Sequence, residues 1–199
     1  MISFFLLIVL AFLAGSIPTA FLAGKITRGI DIRQHGSGNS GATNAFRVLG
    51  QKIGTLVFLI DFLKGFLPVF FLSRFASWTG MDIKEIGLLV GLAAILGHVF
   101  TPFLGFKGGK GIATGGGVLC GVFPLLFLIV FVSWVFVFSF TRIVSISSLL
   151  SMAVLVAASF ILRVGPKITL FFTCMFLFTV WTHRANISRL LKGTENKIS

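Results

Sequence analysis

Five stretches of this chain are almost continuously apolar: Ile2 to Gly24, Ile53 to Ser73, Ile86 to Phe106, Ile143 to Leu162 and the shorter Ile168 to Thr182. A hydrocarbon core about 30 Å thick is crossed by ~20 apolar residues in a helix, which satisfies its own backbone polar groups where water cannot. This constraint predicts an all-α integral membrane protein. With 56% hydrophobic residues and a mean hydropathy of +1.06, the chain is far more apolar than a soluble domain. No tandem or inverted repeat and no Pro-rich or Ser-rich linker interrupts it, so residues 1–199 are read as a single domain.

The first stretch has no basic residue before it, and its first positive charges, Lys25 and Arg28, come after it. A secretory signal peptide has the reverse order, so a first membrane helix with its N-terminus outside the cytoplasm is expected. The region from Ile112 to Phe140 is too long for one untilted helix and too short for two full ones, and Gly121 and Pro124 interrupt it. Split in two, it brings Lys25, Arg28, Arg33, Arg47, Lys52, Lys107, Lys110, Arg142, Arg184, Arg189, Lys192 and Lys197 to the cytoplasmic side. Arg74, Lys84, Arg163 and Lys167 remain outside, a count of twelve against four with Lys64 in the membrane. Left as one helix, the region makes the count nine against seven. The positive-inside rule therefore predicts seven transmembrane helices, some short or broken, with the N-terminus out and the C-terminus cytoplasmic.

The formal charge of +12, from 17 basic and 5 acidic residues, would suggest nucleic acid in a soluble protein. Here the bases sit mainly in loops between spans, which points to topology and an anionic substrate, with no nucleic acid partner. Cys120 and Cys174 lie inside apolar spans, where burial explains them better than a disulfide or a metal site. Small residues four apart, Gly87 with Gly91, Gly111 with Gly115, and Gly117 with Gly121, are read as helix-packing positions.

Three polar segments remain. In "GSGNSGATN", residues 36–44, the formal G-x-G-x-x-G match is spurious, since no strand or parallel sheet accompanies it. Its physics still suits an anion: glycines let backbone N–H groups approach, a following helix offers a positive end, and Ser37, Gly38, Asn39, Thr43 and Asn44 add donors. Arg47, expected on that helix, can grip phosphate through two parallel bonds. A flexible cytoplasmic loop is the plain alternative.

"FKGGKG", residues 106–111, fails the nucleotide P-loop pattern, yet Lys107 and Lys110 around two glycines form a mobile basic cradle. Read alone, it serves equally as a positive-inside anchor. "HRANISRLLKGTE", residues 183–195, places His183 and Asn186 on one face of a continuing helix. Arg184 and Arg189 suit lipid headgroups. His98 is expected to be a structural hydrogen-bonding partner. Within the membrane, "DFLKG" sets Asp61 and Lys64 three residues apart; Asp61 is read as structural, while Lys64 either neutralises it or reaches toward the site.

No His is followed five residues later by Asp, which excludes the His-Asp dyad of thioester-dependent acyltransferases. Five acidic residues leave little to complete a triad or to hold a divalent metal. A site built mainly from donors is expected, with no metal.

Together, GSGNSGATNAFR, FKGGKGIAT and HRANISRLLKGTE, with DFLKG and RIVSISS, resemble the bacterial acyl-phosphate:glycerol-3-phosphate acyltransferases over nearly the whole chain. The resemblance implies a multi-pass enzyme of the bacterial inner (plasma) membrane whose active site faces the cytoplasm. It implies transfer of a fatty acyl group from acyl phosphate to glycerol 3-phosphate, giving lysophosphatidate in the first step of phospholipid synthesis. No cofactor is implied; the partners are the two substrates, membrane lipid and a soluble enzyme that makes acyl phosphate. The site residues implied are Ser37, Asn39, Thr43, Asn44, Arg47, Lys107, Lys110, Ser148, His183 and Asn186, with Ser145, Lys64 and His98 in support. The family usually has Pro three residues after the His of "HVF"; here Thr101 stands there and Pro102 follows, so a different local bend is expected. The rival reading is an organic-phosphate or anion transporter, although transporters place binding groups near the midplane and carry repeat symmetry.

Overall fold

The computed structural model describes residues 4–198, apart from the side chains at positions 76 and 77. Residues 2 and 3 of the first predicted span lie outside that range. The fold is all-helical and divides into two compact units, Met1–Val122 and Phe123–Ser199.

In the first unit, the opening span is two helices, α1 (Phe4–Ser16) and α2 (Thr19–Arg28), broken where Pro18 lacks a backbone donor. The short helix α3 (Ala42–Leu49) leads into α4 (Gln51–Leu72), which at 1.5 Å per residue is about 33 Å long. Helix α5 (Ile83–Val99) ends before a short 3₁₀ turn at Pro102–Leu104, and α6 (Ile112–Val122) follows. The predicted span to Phe106 therefore stops early.

Backbone-on-backbone contact fixes these helices. A β-carbon at Gly15 would collide with the carbonyl of Ala94, and one at Gly97 with that of Phe12, so α1 and α5 meet through reciprocal glycines. Gly65 and Gly117 do the same for α4 and α6 against Thr114 and Phe62. Gly87 and Gly91 receive the side chains of Val122 and Val118, and Gly121 that of Val69, in line with the packing expected of them. Leu7, Ala11, Ile86, Val90 and Ala93 fill the α1–α5 seam. Ala20, Ile32, Ala45, Leu49 and Val57 form a second core that seats α3 on α2 and α4.

The second unit contains α7 (Pro124–Thr141), α8 (Val144–Ile161), α9 (Pro166–Thr182) and α10 (Arg184–Leu191). The region from Ile112 to Phe140 thus splits at Phe123, with Pro124 opening α7 as its first residue, where a missing N–H costs nothing. Only Leu126 of α7 is buried, as befits a helix turned to lipid, whereas α8 buries Ser145, Ser147, Ser148, Ser151 and Ser159. The helix expected to continue through His183 instead bends by 62° there. Cys120 is half-buried, but Cys174 is exposed on α9, which corrects the expectation that burial explains both.

Among the described residues, five helical segments are long and apolar enough to cross a membrane, six if the bent α9–α10 pair is one span. At 11 residues, about 16 Å, α6 is shorter than a spanning helix.

Candidate functional site

The candidate residues fall into two clusters, one in each unit. In the first, residues 31–41 are folded by local side-chain bonds. Asp31 accepts from the amide of Arg33 at 3.0 Å and pairs with its guanidinium at 2.7 Å. The Arg33 hydrogen bond holds the Asp31 carboxyl down at about 2. Gly36 and Gly38 adopt φ of 60° and 72°, the left-handed region glycine reaches without penalty.

Asn44 organises the rest of this loop. Its amide nitrogen donates to the carbonyls of Ile32 (3.1 Å) and His35 (3.0 Å), and its oxygen accepts from the amide of Ser37 (2.9 Å). Both donors of the expected phosphate ligand Asn44 are thus committed to the backbone. Ser37, Asn39, Thr43 and Arg47 are half-buried and Gly38 is exposed. Ser40, which the sequence did not single out, is buried with no hydrogen-bond partner for its hydroxyl among the described residues. Arg28 donates to the carbonyls of Val48 (2.7 Å) and Leu49 (3.4 Å), placing a cation at the negative end of α3.

The lysine segment folds back on the end of α5. The amides of Gly108 and Gly109 donate to the carbonyls of Val99 (2.9 Å) and His98 (3.1 Å). Thr101 donates its hydroxyl to the carbonyl of Ser16 at 2.6 Å, and Phe106 takes φ of 62°. Lys107 is exposed and Lys110 half-buried. The segment meets the Gly-rich loop: a β-carbon on Gly41 would lie 4.0 Å from the α-carbon of Gly109. Beneath, Lys64 pairs with Asp61 at 2.8 Å, and His98 is buried next to them. Lys64 therefore neutralises Asp61, one of the two roles open to it.

The second cluster centres on Glu195, an acid that sequence reasoning passed over although it closes the third polar segment. Its Oε1 accepts from Asn186 Nδ2 and from Ser145 Oγ at 3.1 Å, and its Oε2 from Arg189 Nε at 2.7 Å. Burial pushes the carboxyl up, but the bonds from Arg189, Asn186 and Ser145 outweigh it and hold the group below its ordinary value. A carboxylate only accepts, so Asn186 must turn Nδ2 toward it.

His183, buried at the α9–α10 bend, has Nδ1 at 2.9 Å from the carbonyl of Thr179. A carbonyl requires a donor, so in the neutral ring Nδ1 carries the proton and Nε2 is the acceptor. Ser148 accepts from Trp134 Nε1 at 3.2 Å and donates to the carbonyl of Val144 at 2.8 Å. The amide of Ile198 donates to the carbonyl of Arg142 at 2.9 Å, tethering the tail that carries Glu195.

This arrangement defines a multi-pass helical membrane protein whose polar chemistry is gathered at helix ends and in the loops between them. Residues 5–193 match the family described as Glycerol-3-phosphate acyltransferase, and the chain belongs to that family. A glycerol-3-phosphate acyltransferase of Bacillus subtilis (strain 168) is 46% identical over 194 residues, covering 97% of this chain and 96% of the relative. Its counterpart from Chlorobaculum tepidum is 40% identical over 227 residues, covering 100% and 98%. Among solved structures, the glycerol 3-phosphate form of PlsY (YgiH), an integral membrane glycerol 3-phosphate acyltransferase, superposes with a TM-score of 0.89 at 37% identity, covering 98% of this chain and 96% of that one. The lysophosphatidic acid form of the same enzyme gives 0.86 at 37% identity, covering 98% and 95%.

Proposed function

We propose that this protein transfers a fatty acyl group from acyl phosphate to a hydroxyl of glycerol 3-phosphate, releasing lysophosphatidate and inorganic phosphate. The observation that carries the reading is the convergence, within the first unit, of the Gly-rich loop and the lysine segment at Gly41 and Gly109. The polar side chains of Ser37, Asn39, Ser40 and Thr43 and the cations Arg47, Lys107 and Lys110, carried on these two segments and the helix after the first, suit phosphate, and family membership supplies the acyl-transfer chemistry.

In this reading Ser37, Gly38, Asn39, Thr43, Arg47, Lys107 and Lys110 bind substrate phosphates, Ser40 joins them, and Asn44 shapes the loop. His183 Nε2 accepts from the attacking glycerol hydroxyl, Asn186 helps to orient it, Ser148 supports them, and Ser145 acts through Glu195. The hydroxyl oxygen attacks the acyl carbonyl, the bond to the phosphate oxygen breaks, and the proton ends on the released phosphate. Holding the reactants in line contributes roughly 7–11 kcal/mol. A general base adds 10²- to 10⁴-fold, or about 3–5 kcal/mol. Orientation is therefore the larger effect. The fatty tail is assigned to an open apolar groove of about 400 Å³ lined by Leu128, Ile129, Val132, Ser133 and Phe136 of α7, the helix that carries Trp134, and by Val154 of α8. No step needs a metal or cofactor.

The topology goes with this: seven crossings, N-terminus out and C-terminus in, with the chemistry at the cytoplasmic face of the bacterial inner membrane and acyl phosphate supplied by a soluble enzyme. Residues 1–199 then act as one acyltransferase domain. The support is the charge count of twelve against four.

The deciding experiment incubates purified protein with glycerol 3-phosphate and, in parallel, acyl phosphate, acyl-CoA or acyl carrier protein. Lysophosphatidate from acyl phosphate alone is expected. Product from a thioester donor instead would overturn the donor, and uptake of glycerol 3-phosphate into vesicles without product would favour transport.

A further inference from the structure

His98 touches none of the groups assigned to substrate, yet it occupies an unusual place in the first unit. Its Nδ1 faces Asp61 Oδ1 at 3.8 Å. The opposite edge of the ring lies against Gly109 so closely that a β-carbon there would overlap Nε2 and Cε1. Behind Asp61, Lys64 Nζ lies 2.8 Å from the same carboxylate oxygen and donates at 2.9 Å to the carbonyl of Ile17, at the α1–α2 break next to Pro18. Thr101, three residues beyond His98, donates to the neighbouring carbonyl of Ser16. The broken span therefore anchors Lys64 and Thr101, and Lys64 anchors Asp61, which faces His98.

Neutralising Asp61 by Lys64 one turn along the helix needs no third partner. Filling a space beside a glycine needs no imidazole. Only the requirement to hold a polar ring in one orientation between a carboxylate and a backbone explains both contacts together.

We propose that His98 is a positioning residue for the basic segment: backed by Asp61 and Lys64, its imidazole sets the path of Gly108 and Gly109 and so presents Lys107 and Lys110 to phosphate. This rests on the reading that those lysines bind a substrate phosphate.

The test measures kcat and KM for both substrates in His98→Ala, His98→Gln, Gly109→Ala, the His98→Ala/Gly109→Ala pair, and Lys107→Ala/Lys110→Ala. His98→Ala should raise KM for the substrate whose KM the lysine variant also raises, by ~10- to 100-fold, the scale at which a small misplacement is felt. Its kcat should change little, and His98→Gln, which keeps a nitrogen at similar reach, should recover most of the loss. Gly109→Ala alone should be at least as damaging, and the double variant should regain activity over Gly109→Ala, since the new methyl then enters the space the ring has left.

A change confined to kcat, or no KM change while the lysine variant shifts KM, would overturn the proposal and spare the phosphate reading. Unchanged KM in the lysine variant would instead remove that reading and the proposal with it. If His98→Ala does not accumulate in membranes, His98→Gln and Gly109→Ala alone still decide: an unchanged KM in Gly109→Ala, or full loss in the Gln variant, counts against it.

Discussion

The two polar clusters are built on opposite plans. In the first unit the shape comes from the backbone: glycines at 36, 38, 108 and 109, and Asn44 tying loop carbonyls together. In the second unit it comes from side chains converging on one carboxylate, Glu195, with His183 held at a helix bend. A backbone cradle suits a ligand that is recognised by charge and many weak donors. A side-chain hub suits one atom that must be aimed, because each bond to the carboxylate fixes a rotamer.

That contrast is open to direct attack. Asn186→Ala should cost the most, on the order of 10³-fold in kcat, since it removes a group proposed to orient the attacking hydroxyl and opens the hub around Glu195; steady-state formation of lysophosphatidate measures it, and a loss confined to KM would move Asn186 out of the reacting centre. His183→Ala belongs to the same class, and retention of the normal pH profile with most of the turnover would exclude it as proton acceptor. Gly108→Ala should lower kcat/KM by ~100-fold, because its β-carbon would strike the carbonyl of His98. A tolerated alanine there would mean that the first cluster is not backbone-built.

Glu195→Gln should cost about 10- to 100-fold, the scale of a lost charged hydrogen bond. Because the folded protein holds this carboxyl below its usual value of 4.5, its contribution is fully present above that pH and is lost as pH falls through the depressed folded value. Activity should thus be indifferent to Glu195 ionisation from pH 5 to 8, and the variant should lose part of the acid limb of a pH-stability curve. Arg33→Ala marks the small end. Its pair with Asp31 is only half-buried, so less than about fivefold is expected in any kinetic constant, despite the short contact.

Much of this was legible in the residues. Apolar length exposed the spans, Pro124 marked the division of 112–140, and glycine density singled out both loops of the first cluster. Glu195 was not legible as a hub, since it sits nine residues beyond Asn186 and fifty from Ser145 and meets them only when the tail folds back. The break at Pro18 was not legible within an otherwise continuous apolar stretch, nor was its use as an anchor point, because the carbonyls it frees are satisfied by Lys64 and Thr101, 47 and 85 residues away. The commitment of Asn44 to the backbone was hidden for the same reason: an amide beside a Gly-rich run looks identical whether it faces a ligand or its own loop.

Hydropathy and charge placement, which are local and additive, were enough to settle that this chain lives in a membrane and roughly where its long apolar helices run, and to single out the short polar segments proposed to carry its chemistry. Which donors are left for a substrate and which are taken up by the protein itself depended on the folded chain. In lipid every polar group must find a partner, and the partner's identity is set by three-dimensional proximity rather than by spacing along the sequence.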